Sequence, residues 1–348
     1  MKKREIHFDV VRIIACLAVM LFHYNVYFLY ADPSSSRIGQ ISYFNQTVGD
    51  IAISLFIILS GVSLTISQTY SKGDLGYIDF YKRRFLGIFP SFWVSYFIVA
   101  CLFILVGLKF GDGQYWKFFL SLIGLDGFFL YRMSNYYLVG EWYTGYMLIT
   151  YCFFPFLKKF FDKTPLYCWM IVITIFVSLN SVYDKIFDVY INCNPIMRIP
   201  DILFGITFAK YVNGNKIREY MMMFFSVLIV FFSSELHSVI PSQMYMFIMG
   251  AALFSIVSCS LSFFKYNSLL SKSIVRISGL TFLAFLFHHQ VIYAVFRFID
   301  YRILDFQQKI VLFLFCVLVS FFLAKEVEPL VNKVTSILKT KMFKTSIV

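Results

Sequence analysis

The chain has 348 residues, of which 59% are hydrophobic and 14% charged, and its formal net charge is +12 at pH 7. Soluble domains have about 45–50% apolar and about 25% charged residues, so this composition excludes a soluble domain and indicates a polytopic membrane protein. Apolar stretches of about 17–25 residues recur along the chain, which is the length that a helix needs to cross a bilayer, and they lack the alternation of barrel strands.

The apolar stretches predict an all-α, polytopic helical bundle with about ten transmembrane helices. We expect a single membrane-embedded domain over residues 1–348, with no appended soluble domain. The expected spans are residues 8–30, 48–70, 87–108, 138–157, 166–183, 196–212, 220–236, 244–264, 279–298 and 310–330. An even number of spans places both termini on one side. Lysines and arginines concentrate in the loops of that side, so the positive-inside rule predicts cytoplasmic termini.

Charge and cysteine patterns narrow the class of partner. The excess positive charge is expected to reflect loop asymmetry and attraction to anionic membrane lipids, and no nucleic-acid partner is predicted. The seven cysteines are scattered without CxxC spacing, which indicates neither a disulfide nor a metal framework. Residues 115–131 are interrupted by Gly124 and Gly127 and carry Asp126. We expect them to form a re-entrant or interfacial helix on the outer side.

The first span carries Arg12 and, eleven residues later, His23. Eleven helical steps of about 100° return almost to the starting direction, so both side chains are expected on one face, roughly 16 Å apart along the axis. Ionisable groups inside a membrane are costly and usually functional. Desolvation favours a neutral imidazole, which can accept a proton as a general base must. The alternative is that Arg12 reaches the interface and His23 bonds a neighbouring helix.

The second and third spans carry weaker signals. Ser60 and Gly61 are small residues of the kind that mark close helix packing. The third span is entered through the basic residues Lys82, Arg83 and Arg84. Guanidinium groups match phosphate oxygens in pairs, so these residues can form a cytoplasmic phosphate clamp. The alternative for each of them is an ordinary positive-inside anchor.

The fourth span opens from the outer side with Glu141 and Trp142. Aromatic residues at this depth are usually lipid anchors. Glu141 can instead hydrogen-bond a polar substrate at the outer mouth of the bundle.

The ninth span contains two adjacent histidines, His288 and His289. Neighbouring helical positions point about 100° apart, so we expect only one of the two to face the interior path. The alternative for either histidine is a structural hydrogen bond. No carboxylate or third histidine has a suitable spacing, so we predict no metal site.

Taken in this order, the segments resemble the membrane-bound acyltransferase-3 family, and the resemblance covers nearly the whole chain. Residues 8–23 are similar to the first helix of the family, in which an arginine or lysine is followed by ten residues and then a histidine. Residues 54–61 resemble the second-helix motif that ends in Leu-Ser-Gly, and residues 80–90 resemble the basic motif before the third helix. Residues 142–155 are similar to the middle helix of the family. Residues 282–291 are similar to its late, histidine-bearing helix, with His288 at the position of that histidine, and residues 328–329 resemble the close of its last helix.

The resemblance implies an O-acyltransferase that modifies sugars or lipids of cell-surface polymers, most often with acetyl groups. It implies that acyl-CoA approaches from the cytoplasm and that Arg12 and His23 are the catalytic residues. The residues expected to bind the donor are Lys82, Arg83 and Arg84, and those expected to bind the acceptor are His288, Glu141 and Trp142.

Two positions depart from the family pattern. Gly87 stands where the basic motif usually has another arginine, which implies a shorter phosphate clamp or a larger share for Lys82. Met147 stands where the middle helix commonly has a glutamate, so the role of Glu141 stays open.

We therefore predict a multi-pass O-acetyltransferase of the bacterial inner membrane, with acetyl-CoA as co-substrate, a saccharide or lipid-linked saccharide as acceptor, and no metal. A transporter or flippase for lipid-linked saccharides is the alternative, although no repeat relates the two halves. A non-catalytic partner of a polymer synthase is a third reading. The sequence leaves open the acceptor sugar, the side of the membrane on which it is modified, the acyl length, an acyl-histidine intermediate and the oligomeric state, a homodimer included.

Overall fold

The structure is a computed structural model that describes residues 4–31, 35–69, 76–111, 113–300 and 303–344. Helices dominate it, and a short antiparallel hairpin pairs β1 (Ser42–Tyr43) with β2 (Gln46–Thr47). The helices are α1 (Ile6–Ala31), α2 (Val48–Thr69), α3 (Tyr77–Leu105), α4 (Phe118–Leu122), α5 (Asp126–Phe129), α6 (Glu141–Lys163), α7 (Pro165–Ile186), α8 (Ile199–Thr207), α9 (Lys216–Phe231), α10 (Ser233–Val239), α11 (Ser242–Ser262), α12 (Ser268–Phe298) and α13 (Phe306–Lys344). The prediction of an all-α polytopic membrane protein is confirmed.

Within the described residues, seven helices are long and apolar enough to cross a membrane. They become eight if α9 and α10, which meet at a bend of 70°, form one broken span. The expected span 138–157 is realised as α6, whose many charged residues lower its hydropathy. The expected span 196–212 is realised as a 3₁₀ turn, the short α8 and a π turn, Phe208–Val212. The end of the second expected span, residue 70, lies outside the described residues.

The chain forms two compact units, each assembled from two stretches. One unit, here called unit A, comprises Met1–Gly73 and Phe156–Gly279, and the other, unit B, comprises Asp74–Pro155 and Leu280–Val348. Each unit combines two separate stretches of the chain, so this division does not test the expectation of a single membrane-embedded domain. That expectation stays a prediction.

The core of unit A lies where α1, α2, α8 and α11 meet. Its buried members are Phe8, Val11, Ala15, Leu55, Ile58, Leu59, Val62, Phe208, Val212, Ala251, Phe254 and Cys259. Gly61 of α2 faces Gly205 of α8 so closely that a methyl group on either would collide with a backbone carbonyl oxygen, that of Ile202 or Ile58. The small residues predicted to mark close helix packing therefore do so at Gly61.

Polar contacts at the two ends of unit A link its loops. At one end, Asn213 donates to the Glu5 carboxylate at 2.8 Å, and Lys210 lies 3.2 Å from Asp162. At the other end, the hydroxyl of Tyr245 donates to the backbone carbonyl of Phe44 at 2.7 Å. The loops that the sequence assigned to the side of the N-terminus therefore lie together in this unit.

Unit B is built on α3, the first part of α6, the second part of α12, and α13. Lys82, near the start of α3, donates to the backbone carbonyl of Met342, near the end of α13, at 2.9 Å. These two helices therefore run antiparallel. In the segment expected to be re-entrant or interfacial, α4 and α5 are separated at Gly124, whose φ is +71°. Neither helix is long enough to span a bilayer.

Candidate active site

Arg12 lies in a polar cluster of unit A that the sequence analysis did not predict. Its Nη1 donates to Oδ1 of Asp9 at 3.1 Å and to the hydroxyl of Ser278 at 3.0 Å. The same Asp9 oxygen accepts from the Ser278 hydroxyl at 2.7 Å. The Asp9 side chain is only 4% exposed and that of Arg12 is 31% exposed. The charge of Arg12 is therefore held in place by a buried carboxylate one helical turn earlier.

A second arginine closes this cluster from the N-terminal side. Arg4 donates through Nε and Nη2 to the two oxygens of Asp9, each at 2.7 Å. Hydrogen bonding to Asp9 raises the pKa of the Arg4 guanidinium above its ordinary value. The sequence signal for Asp9 is an acid three residues before an arginine on one helix, a spacing that favours pairing.

His23 lies on the same unbroken helix as Arg12, α1, and its side chain is partly buried. The imidazole packs edge-on against the neighbouring Phe22, with ring centroids 5.2 Å apart. Since α1 has no break between the two residues, the eleven-residue spacing places Arg12 and His23 on one side of it, roughly 16 Å apart.

The three basic residues at the start of α3 point in different directions. Lys82 is directed to the end of α13, where its Nζ also lies 5.2 Å from the ring centroid of Phe343. Arg84 is directed to α6, between the rings of Phe80 and Tyr151 at 5.9 and 5.8 Å. Its Nε is buried and makes no hydrogen bond.

Arg83, between these two residues, is exposed. The predicted clamp is therefore spread around α3, and of its three residues Arg83 is the exposed one.

Glu141 begins α6 in an unusual backbone conformation. Its φ is +48°, in the left-handed region that few residues other than glycine adopt, and it follows Gly140 with φ +86°. Gly127 packs so closely that a methyl group there would collide with the carbonyl oxygen of Glu141. The side chain of Glu141 is 12% exposed. Strained residues of this kind cluster at functional sites.

Trp142 lies among aromatic residues of unit B. Its ring contacts the rings of Tyr143 and Tyr146 edge-on, at 6.1 and 5.8 Å. Tyr143 in turn packs edge-on against Phe285 of α12 at 5.8 Å. The partly buried indole thus borders Glu141 on α6.

On α12, the structure pairs His289 with an acid. Its Nε2 forms an ion pair with Oε1 of Glu141, and its side chain is 30% exposed. His288 is 1% exposed, and its Nδ1 lies 2.5 Å from the backbone carbonyl of Phe285. The family resemblance implied that His288 contacts the acceptor, and no role for His289 was predicted from the sequence. Spacing alone cannot show which of two adjacent histidines meets a carboxylate from another helix.

A further buried ion pair in unit A was also missed. Arg198 is 1% exposed and Asp201 is fully buried. The Nε of Arg198 lies 3.6 Å from Oδ2 of Asp201, and its Nη2 donates to the hydroxyl of Ser54 at 2.9 Å. No role for Arg198 was predicted from the sequence. An arginine followed after three residues by an aspartate, within an apolar run, is the signal for this pair.

A family model described as an acyltransferase domain, Acyl_transf_3, matches residues 6–325. No curated protein and no solved structure matches the chain. The match extends from the start of α1, through both units, into α13.

Proposed function

The chain belongs to the acyltransferase-3 family, and we propose that this membrane acyltransferase transfers acetyl from acetyl-CoA to a hydroxyl of a cell-surface saccharide or lipid-linked saccharide. The observation that carries the proposal is the family match over residues 6–325, which includes the spacing of Arg12 and His23. The proposal places the enzyme in the bacterial inner membrane, with both termini in the cytoplasm.

In the proposed reaction, His23 acts as the general base. Its imidazole takes the proton from the acceptor hydroxyl, and the oxygen attacks the thioester carbonyl of the donor. The new C–O bond forms, the C–S bond breaks, and the CoA thiolate takes the proton back from the imidazolium. An acyl-histidine intermediate is the alternative route, because imidazole is also a nucleophile.

Arg12 is proposed to orient the surroundings of His23 or to offset negative charge that develops on the carbonyl oxygen. Its contacts with Asp9 and Ser278 fix the guanidinium before substrate arrives, on the side of Arg12 away from His23, so they support the first role, and the second requires the side chain to turn towards His23.

The donor phosphates are proposed to bind at the start of α3. The exposed position of Arg83 supports this, as does the buried Nε of Arg84, which has no hydrogen bond. Lys82 already donates to the end of α13, so it contributes mainly positive charge unless that contact opens.

The acceptor is proposed to contact Glu141, Trp142 and His288. The strained backbone of Glu141 and the aromatic surroundings of Trp142 support this assignment, because carboxylates accept hydroxyl hydrogen bonds and aromatic rings pack on sugar faces. His289, through its ion pair with Glu141, joins this group as a positioning residue.

The test uses purified protein in detergent with acetyl-CoA and a lipid-linked saccharide fraction from the producing cells. Free CoA thiol is measured with and without that fraction. We expect saccharide-dependent release of CoA, together with acetyl on the saccharide. If folded protein releases no CoA thiol, the transferase proposal is excluded. The alternative, a flippase for lipid-linked saccharides, is then favoured.

A further inference from the structure

Glu141, His288 and His289 form a constellation in unit B that combines a carboxylate with two imidazoles. Each of the three residues offers one ligand atom, and these atoms lie within 4.8 Å of one another. Ligands of a tetrahedral zinc ion lie at about 2.0–2.2 Å from the metal, hence roughly 3.3–3.6 Å from each other. The Glu141 and His289 atoms are in direct contact and need to separate slightly to admit an ion.

The surroundings of His288 match those of a metal-binding histidine. Its Nδ1 lies 2.5 Å from the backbone carbonyl of Phe285, so this nitrogen carries the proton and the lone pair is on Nε2. Histidine ligands almost always donate their other ring nitrogen to a carbonyl or carboxylate in this way, which fixes the ring and its tautomer. The contact therefore prepares Nε2 of a side chain that is 1% exposed.

The backbone around Glu141 holds the carboxylate against α12. The consecutive positive φ angles of Gly140 and Glu141 turn the chain sharply at the start of α6. The hydroxyl of Thr144 donates to the Gly140 carbonyl at 2.6 Å and fastens this turn. On α12, Gln290 donates to the Leu138 carbonyl at 2.6 Å, which ties the helix to the segment before the turn.

We propose that Glu141, His288 and His289 bind a divalent transition-metal ion, with zinc as the representative ion. Two histidines and one carboxylate are an established ligand set for zinc and for non-haem iron, and three protein ligands leave a position for water or a hydroxyl. The sequence predicted no metal because no carboxylate has a suitable spacing along the chain. The fold supplies that carboxylate from a different helix. The proposal stands on these contacts and does not rest on the acyl-transfer proposal.

The test measures metal content without turnover. The protein is purified with a tag that contains no histidine, incubated with zinc, passed through a desalting column, and analysed for zinc by mass spectrometry. We expect retention of about one zinc ion per chain. Cobalt used as a substitute probe should give the visible absorption of a low-coordinate site. Glu141→Gln and His289→Ala should each reduce zinc retention to background, and His288→Gln should do the same.

His237→Ala is the matched control, because His237 is an exposed histidine outside the constellation. Its zinc retention should equal that of the unsubstituted protein. Elution as a single species shows that each variant is folded, and Glu141→Gln, which keeps the size of the side chain, guards against loss by misfolding. Folded wild-type protein that retains no more zinc than Glu141→Gln would overturn the metal proposal. In that case the contact between Glu141 and His289 would be explained by a shared proton. The acyl-transfer proposal would be unaffected, because CoA release tests it separately.

Discussion

The Nη1 atom of Arg12 lies 3.1 Å from Oδ1 of Asp9, a carboxylate buried one helical turn earlier on α1. The guanidinium proposed to act in catalysis therefore has a fixed counter-charge, which is shared with Arg4. This relationship makes Asp9 a positioning residue that the spacing of Arg12 and His23 does not reveal.

Replacement of Asp9 by asparagine tests that role. Asp9→Asn keeps the shape of the side chain but removes its charge, so the Arg12 guanidinium is less firmly placed. We expect kcat to fall about tenfold to a hundredfold, since small misplacements of catalytic groups have effects of this size. KM for acetyl-CoA should change little. Steady-state CoA release measures both constants.

Arg4→Gln is the control for Asp9→Asn. It removes the second arginine bound to Asp9, whose side chain is 53% exposed, and leaves the contacts of Asp9 with Arg12 and Ser278. We expect its kcat to stay within a few-fold of wild type. Equal kcat for Asp9→Asn and wild type would contradict the positioning role.

Gly87 offers a test of the phosphate clamp by gain of function. It is exposed on α3 one turn after Arg83, and a side chain added there meets nothing within 4 Å. Gly87→Arg should therefore lower KM for acetyl-CoA about two- to fivefold, the size expected of an exposed ionic contact. Gly87→Ala is the control, because it also removes a helix-destabilising glycine but adds no charge. If the alanine variant lowers KM as much as the arginine variant, Arg83 and its surroundings do not bind phosphate.

Asp126 should make stability depend on pH. Burial raises the pKa of Asp126 to about 7 in the folded state, while Gly127 N–H, at 2.9 Å, is its hydrogen-bond donor. The folded protein therefore keeps a proton that the unfolded chain releases near pH 4. The free energy of unfolding should fall as pH rises from about 4 to about 7 and then level off.

Asp126→Asn should abolish that fall and make the protein more stable than wild type above neutral pH, by a few kcal/mol at most. The apparent midpoint temperature of unfolding in detergent, measured across this pH range, checks it. Asp184→Asn, at an exposed carboxylate of α7, controls for the loss of one negative charge. Parallel pH curves for wild type and Asp126→Asn would show that Asp126 is ionised in the fold.

The buried pair Arg198 and Asp201 should be important for stability. Replacing one partner leaves an uncompensated buried charge, so Arg198→Met or Asp201→Asn should each lower the free energy of unfolding by about 3–5 kcal/mol. The double variant should be more stable than either single variant, because no lone charge remains. Midpoints of denaturant unfolding give the three values. A double variant that loses the sum of the single effects would show that the pair is not coupled.

Much of the fold follows from the sequence, because a long apolar run has few alternatives in a bilayer. The expected span 8–30 corresponds to Ile6–Ala31, and the span 244–264 corresponds to Ser242–Ser262. The expected spans 138–157 and 196–212 agree least with the structure. In the first, charges at both ends of α6 lower its hydropathy, and in the second, 3₁₀ and π turns shorten the regular helix.

The candidate site was only partly predictable for a different reason. Arg12, His23 and Glu141 stand out because each is ionisable within or beside an apolar run. Their partners depend on which helices meet. Ser278 bonds Arg12 from a helix far along the chain, and His289 was indistinguishable from His288 until α12 was placed beside α6.

The proposed role of His23 as general base is tested by acyl transfer in a His23 variant. His23→Ala and the control His237→Ala are expressed to equal levels in the membrane, and acetyl incorporated into the saccharide acceptor is measured for both. We expect His23→Ala to lose transfer by about 10²–10⁴-fold, the usual contribution of a general base, while His237→Ala transfers at the wild-type rate. Unchanged transfer by folded His23→Ala would contradict the role of His23 as general base.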